Sequence, residues 1–162
     1  MTARTPTQIA QQWLDDFESS LTQRDIARVL SLFGEECYWR DLIAFTWNLK
    51  TSEGKDEIQS MLAATLEHVA PSRWQLNGEA SEAGGIVEAW FTFETADARG
   101  KGLLRLKEGR CWTLLTAMRE LKEFPEPLGM QRPKGAEHGA NKQRETWLES
   151  RQREEAELGY ER

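Results

Sequence analysis

No stretch of this chain is apolar for long enough to span a bilayer, and the opening residues Met1 to Gln8 lack the apolar run of a secretion signal. The expectation is a cytoplasmic protein that stays off membranes. Cysteine is scarce: Cys37 and Cys111 stand far apart, which excludes a disulfide framework and favours a reducing compartment. The histidines, His68 and His138, are equally isolated, so no metal site is expected. Basic residues are outnumbered, 21 Lys+Arg against 27 Asp+Glu, and form no dense tract, so nucleic acid is not an expected partner. Gly-x-Gly-x-x-Gly occurs nowhere, which removes the glycine-rich turn that cradles a dinucleotide pyrophosphate.

What is present, at 39% apolar and 30% charged residues, suffices for one ordinary globular core. The composition changes near Leu121. Three of the five prolines, Pro125, Pro127 and Pro133, follow closely, and the remainder is too poor in apolar residues to bury a core. The expected division is therefore a domain over 1–123 and a linker with a charged helix over 124–162.

Thr5-Pro6-Thr7-Gln8 reads as a capping box with proline at the first helical position. Ile9, Trp13, Phe17 and Leu21 then make one apolar stripe. A second helix is expected from Asp25 to Phe33, stopped by Gly34. An extended segment should run from Cys37 to Trp47, and a third helix from Gly54 until Pro71 ends it. Beyond Arg73 the period becomes alternating. Trp74 and Leu76 come first, Glu79 to Gly85 is turn-rich, and Ile86 to Thr95 is a strand with Val87, Ala89, Phe91 and Phe93 on one face. Leu103 to Lys107 and Cys111 to Leu121 form a hairpin across Glu108-Gly109, giving an α+β layout. Simple alternation sets Trp112, Leu114, Thr116 and Met118 opposite Cys111, Thr113, Leu115 and Ala117. With Trp90 and Thr92 on the second face as well, that face should line a pocket, meet a second copy in a homodimer, or do both.

Tyr38-Trp39-Arg40-Asp41, Glu53-Gly54-Lys55-Asp56-Glu57-Ile58 and the following strands resemble, over residues 8 to 122, the NTF2-like fold of the SnoaL-like and ketosteroid-isomerase-like group. The resemblance implies an α+β cone: three N-terminal helices packed on a curved antiparallel sheet, then a C-terminal linker and helix. A second likeness lies in Glu123-Phe124-Pro125-Glu126, Arg132 to Gly139 and Trp147-Leu148-Glu149. These are similar to the segment joining an NTF2-like N-terminal domain to the FAD-binding domain in a group of flavin-dependent monooxygenases. It implies an N-terminal accessory domain, for small-molecule binding or dimerisation, not catalytic alone. FAD and NAD(P)H would belong to the parent protein, and the chain's own FAD-binding domain would be a partner. The alternative is a stand-alone SnoaL-like isomerase, dehydratase or cyclase.

For that alternative the resemblance marks Asp41 as the base and His68 as its partner. Structural readings stand beside both: Asp41 in an ion pair at a strand end, where Asp41→Asn would cost about 0 to 1 kcal/mol, and His68 complementing the helix dipole. The tyrosine and second acid of this fold's isomerases are replaced by Trp13, Phe17 and Gly102-Leu103-Leu104. Tyr38, Trp39, Trp90 and Trp112 are the expected walls of a pocket for a flat or hydrophobic ligand, although core packing accounts for tryptophans equally well. His138 is expected to make an interdomain contact. The tail from Asn141 to Leu158 is expected to be a helix with a Glu149–Arg153 pair and a thin stripe of Trp147, Leu148 and Leu158.

Overall fold

The computed structural model describes residues 4–132, 135 and 145–158. The chain falls into two units, Met1–Glu126 and Pro127–Arg162.

Helix α1, Pro6–Thr22, starts in the expected capping box: Gln8 N–H donates to Thr5 Oγ1 at 3.2 Å, and Thr5 N–H donates to Gln8 Oε1 at 3.0 Å. It buries Ala10, Trp13, Leu14, Phe17 and Leu21. Helix α2, Ile26–Ser31, is shorter than the sequence pattern suggests. The Cys111 N–H donates to Leu32 O at 2.9 Å, which draws the chain into the sheet, so Phe33 and Gly34 open a strand instead of closing a helix.

That strand is β1, Phe33–Leu42, and β2, Leu49–Glu53, returns beside it. The extended segment ends at Leu42, short of Trp47, because residues 43–48 form a loop. Helix α3, Gly54–Val69, carries Asp56 and Glu57 in its first turn and ends at Ala70, in left-handed conformation just before Pro71. Strands β3 (Ser72–Leu76), β5 (Ile86–Glu94), β6 (Ala98–Lys107) and β7 (Arg110–Leu121) follow. The turn-rich break also holds a short strand, β4 (Ser81–Ala83), paired with β5.

The sheet order is β2-β1-β7-β6-β5-β3. It is mixed rather than purely antiparallel, since β1 and β7 run parallel. A register shift between Arg105 and Leu106 makes Trp112 the extra residue of a bulge. Beyond it the parity of β7 differs from simple alternation. Leu114, Thr116 and Met118 join Cys111 on the inner face, while Thr113, Leu115 and Ala117 face outward with Trp90, Leu103 and Tyr38.

Inside, stacked and edge-on rings form a continuous chain. Trp13 stacks on Phe17 at 4.7 Å, Phe17 meets Trp74 edge-on at 5.0 Å, Trp74 stacks on Phe93 at 4.7 Å, and Trp39 meets Phe45 at 5.0 Å. Each such contact adds about 0.5–1.5 kcal/mol beyond area burial. Two glycines of β6 make room for it. A Cβ at Gly100 would stand 2.3 Å from Phe93 Cζ, and one at Gly102 would stand 2.2 Å from both Phe91 Cζ and Leu115 O. The rings lie across the glycines they pair with, an arrangement that lets a sheet curve over its own aromatic side chains.

In the second unit, α4 (Trp147–Glu157) is capped by Thr146, whose N–H donates to Glu149 Oε2 at 2.7 Å. That bond and the Thr146 hydroxyl hold the Glu149 carboxyl below its ordinary range. Arg153 pairs with Glu145 at 3.0 Å rather than with Glu149, whose side chain the cap already uses. Trp147, Leu148 and Leu158 are exposed. His138 and residues 141–144 lie outside the described residues. No helix of the described residues is long and apolar enough to cross a membrane.

Candidate functional site

Asp41 sits on the inner face of β1, opposite Thr116, and is 0% exposed. Burial of a carboxylate is costly unless donors surround it. Here Oδ1 accepts from Thr116 Oγ1 at 2.8 Å, Oδ2 accepts from Thr46 N and Thr46 Oγ1 at 2.8 Å each, and Phe45 N lies 3.0 Å from Oδ2 and 3.1 Å from Oδ1. Trp39 Nε1 in turn donates to Thr116 Oγ1 at 2.9 Å. Asp41 is therefore neither at an exposed strand end nor paired with Arg40, whose guanidinium donates to Thr51 Oγ1. No hydrogen bond or ion pair joins it to His68 among the described residues.

What Asp41 holds is the loop 43–48. Ile43 and Trp47 adopt positive φ of 70° and 53°, unusual for any side chain and most of all for a β-branched one. Each costs about 1–3 kcal/mol. Hydrogen bonds to a charged group are worth about 1.5–3 kcal/mol apiece, so the donors converging on Asp41 are enough to offset that strain.

The loop walls a cleft of about 240 Å³. Its floor is apolar: Ala44, Phe45, Val69 and Ala98 are buried, and Met118 partly so. On its rim stand Trp47, 61% exposed, His68 from the last turn of α3, and Asp97 from the β5–β6 turn. That turn is fastened from two sides. Ala96 N–H donates to Val69 O at 2.8 Å, Lys122 N–H to Asp97 O at 2.8 Å, and Lys122 Nζ to Thr95 O at 2.6 Å. The side chains of His68 and Asp97 have no hydrogen bond or ion pair among the described residues.

The four expected pocket residues are not brought together. Trp39 is buried in the core at 0% exposure, bonded to Thr116. Trp90, 43% exposed, lies on the outer face under Lys101 Nζ, 4.4 Å from its ring centroid. Tyr38 is also outward and donates to Glu36 Oε1 at 3.3 Å; the Glu36 charge pushes its phenol above the usual range. Trp112 borders a larger cleft, about 360 Å³, at the β6–β7 hairpin, whose other walls include Glu35, Glu36, Lys107, Glu108 and Arg110. Those charges belong in water, and the cleft offers no comparable apolar floor. Sequence reasoning missed Trp47 and Asp97. The usable signal was an aromatic between Thr46 and Asn48, hydrogen-bonding residues that favour a turn over a strand. Among the described residues no group of three or more His, Cys, Asp or Glu is placed to hold a metal ion.

No family model matches the chain, and no curated protein matches it. Solved structures do. An NTF2-like protein of unknown function from Burkholderia pseudomallei is 18% identical, with 68% of this chain and 91% of that one covered and a TM-score of 0.52. A ketosteroid isomerase-like protein from Erwinia carotovora atroseptica is 10% identical, with 73% and 99% covered and a TM-score of 0.60. TerC, co-crystallised with polyporic acid, is 17% identical, with 71% and 92% covered and a TM-score of 0.51. The chain has the NTF2-like fold. These likenesses concern the fold alone and carry no link to a flavin-dependent monooxygenase.

Proposed function

We propose that the chain is a small-molecule-binding domain of the NTF2-like fold. The ligand, a largely apolar molecule of one or two rings, occupies the cleft between loop 43–48, the end of α3 and the β5–β6 turn. The observation that carries this reading is a preorganised apolar floor under a rim whose polar side chains, His68 and Asp97, are uncommitted. The same fold carries a ketosteroid isomerase-like protein and was crystallised, in TerC, with an organic acid. Isomerase-, dehydratase- or cyclase-type proton transfer is the chemistry open to such a site. An imidazole can both accept and return a proton, and His68 is the candidate here. Asp41 then acts as a positioning residue, fixing the wall through Phe45 and Thr46. Titration of the ¹⁵N-labelled chain with 2-phenylethanol tests the site: shifts should gather at Thr46, Trp47, His68 and Asp97. Saturating shifts elsewhere, or none, would overturn it.

A second reading makes the same domain an accessory part of a flavin-dependent monooxygenase. It is favoured by the proline-punctuated segment after Phe124 and by α4, whose Trp147, Leu148 and Leu158 are exposed. FAD and NAD(P)H would then bind a further domain. The strand-to-helix junction at Glu53-Gly54 is poorly suited to a pyrophosphate, because it leads into Asp56 and Glu57. The Glu57 carboxylate already accepts the Glu53 N–H at 3.0 Å, where a pyrophosphate would need to lie. The isolated chain should remain colourless when mixed with FAD and desalted. A stoichiometric yellow complex would refute this assignment.

A further inference from the structure

Three features of the cleft bear on the charge of whatever enters it. The first is Asp97, whose backbone is fixed by Lys122 while its carboxylate meets no cation among the described residues. Lys122, bonded to its backbone, and Arg99, on the strand that follows it, are already engaged. Lys122 Nζ lies 2.9 Å from Glu94 Oε2 as well as 2.6 Å from Thr95 O, and Arg99 faces Glu120 at 3.1 Å. The second is α3, a helix of 16 residues whose C-terminal turn forms one wall. The aligned peptide dipoles place about half a negative charge at that end. The third is Trp47, on the rim with its backbone held at φ 53°. An indole face attracts cations and repels anions.

We infer that the cleft selects a cationic amine carrying a small aromatic or alicyclic group. Its ring rests on the floor of Ala44, Phe45, Val69 and Ala98, and its ammonium lies at the rim between Asp97 and Trp47. This rests on the reading of the cleft as the ligand site. Carboxylate, helix end and indole act in the same direction, and a ligand anion would meet all three unfavourably. Among the described residues that line the cleft, His68 is the one side chain able to carry a positive charge. A protonated imidazole would therefore lower amine affinity rather than create it.

The test compares three probes of matched shape by NMR titration of the full chain: 2-phenylethylammonium, 2-phenylethanol and phenylacetate. The amine is expected to bind about tenfold or more tightly than the alcohol, the scale of one charge-assisted hydrogen bond, with phenylacetate weakest. Asp97→Asn should remove most of that preference by weakening the amine far more than the alcohol. Trp47→Leu should narrow it further, and His68→Gln should keep or widen it. Equal affinity for amine and alcohol would refute the charge preference and leave the site standing. Failure of all three probes to bind would refute the site reading and this inference with it. A preference that survives Asp97→Asn, or that vanishes in His68→Gln, would also overturn the assignment.

Discussion

Replacing Asp41 by asparagine removes one charge and turns one acceptor oxygen into a donor, with almost no change in shape. Four donors now point at that carboxylate: the N–H of Phe45, the N–H and hydroxyl of Thr46, and the hydroxyl of Thr116. An amide can satisfy one side only. If its NH₂ faces the loop, it opposes the Phe45 and Thr46 N–H groups. If it faces Thr116, that hydroxyl oxygen must accept from both Trp39 and the new amide, and its own proton loses its partner. Two donors losing a charged partner at about 1.5–3 kcal/mol each gives about 3–6 kcal/mol. Strain of about 1–3 kcal/mol at each of Ile43 and Trp47 is released only if the loop lets go, so with the loop held by its remaining bonds the expected loss is the full amount, about 3–6 kcal/mol. The burial of Asp41 thus replaces the near-silent outcome expected of an exposed ion pair with a large one. Urea unfolding read by tryptophan fluorescence measures it directly. A change below about 1 kcal/mol would refute the hydrogen-bond reasoning. A gain in stability would show a destabilised carboxylate of the kind a catalytic base requires, and Asp41 would return as the reactive group.

Gly102→Ala should destabilise more than Gly100→Ala, within the roughly 1–3 kcal/mol typical of overpacking, because its new methyl meets the Leu115 carbonyl as well as a ring; equal losses by denaturant titration would contradict this. The acid limb of the stability curve should carry Glu94 and Glu35. Hydrogen bonds from Lys122 and Lys55 hold these carboxyls below the ordinary range, so their contribution is complete above the unfolded value and is lost as pH falls through the lower folded one. Lys122→Met and Lys55→Met should each flatten that limb, and an unchanged acid midpoint would count against the pairs. The outer face, with Trp90, Leu103, Leu115 and Tyr38, should pair two copies of the chain, and Trp90→Glu should leave a monomer by sedimentation equilibrium. A native chain that stays monomeric at high concentration would dismiss that interface.

The fold was legible wherever one local rule decided the outcome. The Thr5–Gln8 box set the start of α1, Pro71 the end of α3, and Glu108-Gly109 the last hairpin. Errors arose where distant strands decided. Nothing local to Gly34 reveals that Cys111 will bond Leu32 O, and nothing local to Trp112 reveals that it will bulge against Arg105 and Leu106. The bulge reversed the parity of the rest of β7, moving Leu115 outward and Thr116 in beside Asp41. The site was legible in part. His68 is on the rim, but Trp39 proved to be core, and Asp97 carries no sequence signal beyond being an acid in a turn. Asp41 was singled out by its position, whereas its work, holding a loop from beneath, appears only once Thr46 and Thr116 are seen to converge on it.

The Asp41 anchor also bears on how such a protein can change over time. The shape of loop 43–48 is stored largely outside it, in a carboxylate on β1 and a hydroxyl on β7, with Thr46 as the chief side chain of the loop to take part. Ile43, Trp47 and Leu49 extend into solvent and contribute little to the core. Descendants of this chain could therefore exchange those outward side chains, Trp47 at the rim of the cleft among them, without renegotiating the fold. Loss of Thr46 or Thr116 would carry a penalty in every one of them.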